Sequence, residues 1–458
     1  MERTLRSENS MVTGVIWKQL LFFFFPIMLG SLFQQLYNTV DAIVVGQFVG
    51  TDALAAVGGS ASNILNLLIG FFTGVSSGAT VIISQYYGAN DRDGVNRALH
   101  TAMLFAVVGG AILTVFGLFA AEFVLRLMDT PEDTLAGSAL YLRIMFVGMI
   151  PNMIYNVGSA ILRAMGDSKR PLYFLVVACL ANVVLDLVFV LVFKMGIAGV
   201  AIASIMAQAI SAVMVIMSLS SANSEFRFYF KQMRFEKDIL SRTIKIGLPA
   251  GFQSIMYSLS NMLIQASINR FGTDTVASWV VLGKVDGVTW MILGALGVAS
   301  MTFVGQNYGA GRLDRIRKSL KLSLLIGGCI TGGIGAILLL FGRPLFKLFT
   351  TDAIVLDMAI KLLTYFAPFY WLFVPIEIFS GALRGMGDTL IPTIITATGI
   401  CVFRVVWIYT VVPVYHSMLT VSLSYPISWV LTSAAFIVYY LAVRKKLIAN
   451  APKPAALD

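Results

Sequence analysis

Ser159-Ala-Ile-Leu-Arg-Ala-Met-Gly-Asp167 returns as Ser380-Gly-Ala-Leu-Arg-Gly-Met-Gly-Asp388, 221 residues further along the chain. The same offset carries Gln85-Tyr-Tyr-Gly-Ala89 onto Gln306-Asn-Tyr-Gly-Ala310 and Pro171 onto Pro392. Gly50-Thr-Asp52 meets Gly272-Thr-Asp274 at 222, and Pro26 meets Pro249 at 223. Several matches at nearly one offset mark an internal duplication. The longer motif has a structural reading: Gly166 and Gly387 are helix C-caps, Asp167 and Asp388 start the next turn, and Arg163 and Arg384 snorkel to headgroups. The Gln-x-Tyr-Gly-Ala segments read as helix ends breaking at glycine.

The residues around these motifs are apolar. Of 458 residues, 58% are hydrophobic and only 12% charged, with a mean hydropathy of +0.84. Soluble domains carry about 25% charged residues, so lipid must be the solvent for most of this chain. A span needs about 20 mostly apolar residues. Twelve such runs are present: 17–45, 53–82, 98–122, 138–160, 172–193, 196–219, 243–267, 276–303, 318–341, 359–381, 392–413 and 418–443. Each should be helical, because hydrocarbon offers no partner for open backbone groups. The predicted fold class is an all-α polytopic membrane protein of two six-helix halves. Six spans per copy insert both copies the same way up, which predicts a pseudo-two-fold axis along the membrane normal and a substrate path at the repeat interface. The predicted organisation is an N-terminal lobe over 1–220, a linker over 221–242 and a C-terminal lobe over 243–458. The basic, aromatic linker is expected to form an amphipathic surface helix.

Charge sets the orientation. Of the 33 Lys and Arg residues, 24 fall in the N-terminal segment, the even-numbered gaps and the tail. The odd gaps hold Arg126, Lys194, Arg270, Arg343 and Lys347. Both termini should therefore be cytoplasmic, in the cell inner (plasma) membrane. The net charge of +10 is spread through short gaps, which fits an anionic membrane surface rather than nucleic acid. The polar start, Met1 to Ser10, precedes a first span rather than a cleaved signal peptide. Cys179, Cys329 and Cys401 are scattered in apolar runs without metal-ligand spacing.

Charges inside spans are costly, so each is a functional candidate. Gln34, Tyr37 and Asp41 share a face of the first span. Asn182 and Asp186 share a face of the fifth, and Ser204 in the sixth adds a hydroxyl. Two carboxylates, an amide and hydroxyls form an oxygen cage that suits Na⁺, with Asp41, Asp186 and Asn182 as ligands. The same cage suits a proton, since burial favours the neutral carboxyl. The structural alternative is that the two acids only cap or sit at interfaces. The second half breaks the symmetry: Asp41 falls on or beside Ile264, and Asp186 on Trp407. That half has its own polar cluster of Lys284, Asp286, Glu377 and Arg404, open to a neutralising or a substrate role. Pro26 should bend the helix that carries Asp41, either to couple ion binding to movement or as a packing kink. A P-loop and a His-Glu-x-x-His motif are both missing from the sequence, and His100 and His416 have no partner pattern, so neither a P-loop ATPase nor an enzyme is expected. No cofactor is expected, and the chain should act as a monomer.

These features resemble the multidrug and toxic compound extrusion (MATE) transporters, over nearly the whole chain. The paired Leu-Arg-x-Met-Gly-Asp and Gln-x-Tyr-Gly-Ala motifs carry the resemblance. In the branch similar to the DNA-damage-inducible protein F group, the coupling-ion site lies in the N-terminal half and a proline bends the first helix. Pro26, Tyr37, Asp41, Asn182, Asp186 and Ser204 match that pattern, with Ser204 where a threonine can occur. Another branch keeps a glutamate in helix 7 and an aspartate in helix 10. Here helix 7 has Tyr257 and Asn261 but no acid, and helix 10 has only Glu377. The resemblance implies an H⁺- or Na⁺-coupled antiporter exporting organic, often cationic and amphipathic, compounds. The alternatives are a flippase of lipid-linked precursors and an ion channel. The first needs a basic cavity, which the N-terminal spans lack; the second needs a pore loop, which is not visible.

Overall fold

The computed structural model describes residues 10–221 and 226–449. The N-terminal residues that include Arg3 and Arg6, the linker residues 222–225 and the tail with Lys453 lie outside it. Among the described residues, ten helices are long and apolar enough to cross a membrane. These are Ile16–Val49, Thr51–Gly88, Arg92–Leu127, Lys169–Val192, Gly196–Ser220, Thr273–Gly309, Leu313–Phe346, Ala353–Gly385, Leu390–Thr410 and Met418–Lys445. The pair Glu132–Val147 and Met149–Ala164, bent by 53° at Gly148, makes an eleventh. The seventh predicted run, 243–267, falls on the 32-residue helix Lys237–Ile268, which is outside this count. Gln253, Ser258, Asn261 and Gln265 make it less apolar than the rest. In chain order the eleven match the other predicted runs, and Lys237–Ile268 stands seventh among the helices.

The repeated motifs are helix ends, as their composition requires. Gly166 and Gly387 have φ of 94° and 91°, a region in which only glycine is unstrained. After each, an aspartate N–H reaches back five residues: Asp167 to the Leu162 carbonyl and Asp388 to the Leu383 carbonyl, both at 2.9 Å. This is a Schellman-type closure. Asp167 Oδ1 then accepts from the N–H groups of Lys169 and Arg170, opening the next helix. The second and eighth helices end at Gly88 and Gly309. Arg384 corrects one expectation: its Nη2 donates to Gln253 Oε1, so this guanidinium serves the protein interior rather than headgroups.

The chain divides into two compact units, Phe25–Tyr87 with Asp91–Gly251, and Met1–Phe24 with Gly88–Asn90 and Phe252–Asp458. The division crosses the first helix just before Pro26 and the seventh just after Pro249. Each unit builds a similar apolar cluster. One packs Val44, Val45, Ala53, Val190 and Val200; the other packs Ile264, Ile268, Ile408, Val412 and Val421. Within the first unit, Gly74 and Gly78 of the second helix meet Gly247 and Gly251 of the seventh. A Cβ at any of the four would strike the facing backbone. Two glycines spaced by four on each helix allow this approach, the small-residue packing of membrane helices.

The linker departs from expectation. Residues 226–236 form an extended strap with one 3-10 turn, Phe230–Gln232, rather than an amphipathic helix. The strap buries Phe226 and Phe228 on alternate positions and exposes Arg227 and Tyr229, the two-residue period of extended chain.

Candidate functional site

The first helix runs continuously through Pro26 and past Asp41, then loosens into a π-helical turn, Val45–Val49. The fifth helix does the same after Asp186, at Val188–Val192. Such turns cost backbone regularity and recur at functional positions. Here each follows an acid within a turn.

Asp41 and Asp186 are 9% and 0% exposed, and Asn182 is 0% exposed. Ser204 Oγ donates to Asp41 Oδ2 at 3.3 Å. Asp186 and Asn182 face the Asp41 carboxyl without closing a well-formed hydrogen bond to it. The Tyr37 hydroxyl lies next to Ser204 and the two acids. Asp41 Oδ1, both Asp186 carboxyl oxygens, Asn182 Oδ1 and the Tyr37 hydroxyl are all buried and unpartnered. Buried polar atoms are normally satisfied, and here five oxygens without partners lie in one place.

The structure therefore brings together Tyr37, Asp41, Asn182, Asp186 and Ser204. Gln34 stays outside this buried group, on an exposed position. Tyr141, buried on the first part of the bent fourth helix, lies within electrostatic reach of both acids. Sequence reading missed it, because a tyrosine in an apolar run gives no pattern without a partner. In the second half, Ile264 lies in an apolar cluster against which Trp407 packs, and Trp407 Nε1 donates to the Thr420 carbonyl at 2.8 Å. Packing fills the place of the acid pair there.

The C-terminal half has a different feature, a cavity of about 540 Å³. Its wall includes Trp279, Trp290, Phe373 and Tyr425, and it is also lined by Asp286, Glu377 and Arg404. Trp290 Nε1 donates to Asp286 Oδ2 at 3.2 Å. Arg404 stacks over the Tyr425 ring at 3.9 Å and donates from Nε to Ser428 Oγ at 3.0 Å. The predicted cluster is corrected in two ways. Lys284 is exposed and is not among the residues that line the cavity. Among the described residues Glu377 and Arg404 form no ion pair; the charge that acts on Glu377 is Arg384.

A duplicated, multi-spanning helical chain of this kind is a multi-pass membrane protein. The family model MatE matches residues 26–188 and again 249–410, so its unit is the repeat itself. The chain belongs to the MATE family of multidrug efflux transporters, multi-pass membrane proteins that export compounds. It is 30% identical over 388 residues to the "Probable multidrug resistance protein YoeA" of Bacillus subtilis, across 83% of this chain and 84% of that one. It is 29% identical over 433 residues to "Probable multidrug resistance protein YpnP" of the same organism, across 93% and 95%. Among solved structures, "Outward-facing conformation of a multidrug resistance MATE family transporter of the MOP superfamily" superposes with a TM-score of 0.87 at 22% identity. That match covers 97% of this chain and 98% of the other.

Proposed function

We propose that this transporter is a cation-coupled antiporter, with H⁺ or Na⁺ bound between Asp41 and Asp186, exporting cationic amphipathic compounds by alternating access. The observation that carries the reading is the group of five unpartnered buried oxygens around the acid pair. Two carboxylates side by side in a low dielectric repel, and a bound cation removes that cost. Asn182, Tyr37 and Ser204 orient the pair, and Pro26 lets the helix carrying Asp41 bend when the pair is filled. The two repeats act as the bodies of the cycle, in the inner membrane with both termini cytoplasmic. The aromatic cavity of the C-terminal half suits the substrate: ring faces attract an organic cation, and Asp286 and Glu377 supply countercharge.

The test is a fluorescent organic cation loaded into proteoliposomes of the purified protein. An imposed proton or Na⁺ gradient should drive its movement against the ion, and one of the two ions should suffice. Movement that ignores both gradients would refute ion coupling.

A further inference from the structure

The strap between the sixth and seventh helices encloses a second polar cavity, of about 370 Å³. Its floor is the start of the third helix, with Asn96, Arg97 and His100; its roof is the turn at Lys231 and the residues up to Glu236. The strap is pinned in place. The Tyr229 N–H donates to His100 Nε2 at 3.0 Å, and His100 Nδ1 lies 2.8 Å from the Asn96 carbonyl. Thr101 Oγ1 donates to the Arg234 carbonyl and accepts from the Glu236 N–H, both at 3.3 Å. Phe228 stacks on His100 with ring centroids 5.4 Å apart.

The charges in this cavity do not cancel. Asp93 pairs with Arg97 at 2.8 Å and Glu236 with Arg234 at 2.6 Å. In both pairs the near arginine atom is Nε, that of Arg97 without a well-formed hydrogen bond, which leaves their terminal amino groups for a ligand. Lys231 has no ion-pair partner among the described residues. At the rim, Tyr229, Phe230 and Phe235 are 43%, 65% and 40% exposed, alongside the exposed Arg227 and Lys237. Exposed aromatic rings beside basic side chains at the ends of spans are the composition of a membrane interface. The sixth helix ends at Ser220 and the seventh starts at Lys237, so the strap is a short connection between them.

We propose that this cavity binds the phosphate of an anionic phospholipid. Lys231, Arg97 and Arg234 hold the phosphate, and Phe230 and Phe235 enter the lipid beside it. Arginine suits a phosphate because its planar fork donates two bonds at once. The bound lipid ties the strap, and through it the start of the seventh helix, to the leaflet. The inference needs only the membrane fold, so its failure would leave the acid-pair reading untouched.

Thermal unfolding of the full-length protein in an uncharged detergent tests it, with short-chain phosphatidylglycerol, short-chain phosphatidylcholine or inorganic phosphate added. Phosphatidylglycerol should raise the Tm in a saturable way, and phosphatidylcholine and inorganic phosphate should not. Lys231→Gln with Arg234→Gln should weaken half-saturation by about thirtyfold, as two basic groups lost from an anionic surface imply. Arg444→Gln with Lys445→Gln, on exposed positions elsewhere, should leave it unchanged. Equal stabilisation by phosphatidylcholine, or a phosphatidylglycerol response unchanged in the Lys231/Arg234 variant, would overturn the proposal. An equal response to inorganic phosphate would overturn the lipid assignment in favour of a free anion.

Discussion

Ser204 on the sixth helix donates a hydrogen bond of 3.3 Å to Asp41 on the first, across 163 residues of sequence. Beyond the two acids, this is the contact that fixes how the Asp41 carboxyl is presented. Ser204→Ala leaves the pair in place and removes one donor, worth ~1 kcal/mol. The account predicts roughly fivefold weaker half-saturation for the coupling cation, with unchanged maximal transport. Ion-dependence curves in proteoliposomes measure it, and an unaltered half-saturation would separate Ser204 from the site.

Pro26 leaves the Phe22 carbonyl without its usual i+4 donor, since proline has no N–H. The boundary between the compact units falls beside it, between Phe24 and Phe25. Pro26→Ala restores the bond and stiffens the helix. Expression and insertion should be preserved while the export rate falls, by about tenfold if bending limits the cycle and the stiffened helix adds ~1.4 kcal/mol to its barrier. Export at the parental rate would make the proline a packing feature.

Arg315 holds the start of the first helix. Its guanidinium is buried and donates to the Met11 carbonyl at 3.0 Å, to the Gly14 carbonyl at 2.6 Å and to Asn307 Oδ1 at 3.0 Å. Arg315→Ala strands those acceptors, at a cost on the order of 3 kcal/mol, and should lower the Tm by several degrees. Arg315→Lys should recover only part of this, because one ammonium cannot reproduce the fork. Equal Tm values for the parent and Arg315→Ala would show that this anchor carries no stability.

Much of this was legible in the sequence. Apolar runs, the 221-residue repeat and the paired glycines gave most of the spanning helices, the duplication and the C-caps, because each depends on local composition or spacing. Asp41, Asn182, Asp186 and Ser204 were legible because a polar group in a span stands out against its neighbours. Tyr141 and the Tyr425–Arg404 stack were not, since contacts between different spans leave no periodic trace. The strap was misread for a related reason. Its basic and aromatic residues suit an amphipathic helix equally well, and hydrogen bonds to His100 and with Thr101 hold it extended.

Orientation is checked by single cysteines in an otherwise cysteine-free chain. Labels placed at Gln232 and Asn450 should react only from the cytoplasm, and one at Asp133 only from outside. Labelling of positions 133 and 232 from the same side would break the twelve-span topology.

The most direct test of the acid pair compares Asp41→Asn, Asp186→Asn, their double variant and Glu377→Gln for gradient-driven export, with membrane levels matched. Both single variants should lose gradient-driven export while still inserting. The double variant should be little worse than either, since the two acids act as one unit. Glu377→Gln, placed in the C-terminal cavity, should keep ion coupling and lose only part of its transport. Normal export by Asp41→Asn together with none by Glu377→Gln would contradict the account and move the coupling site to the C-terminal half.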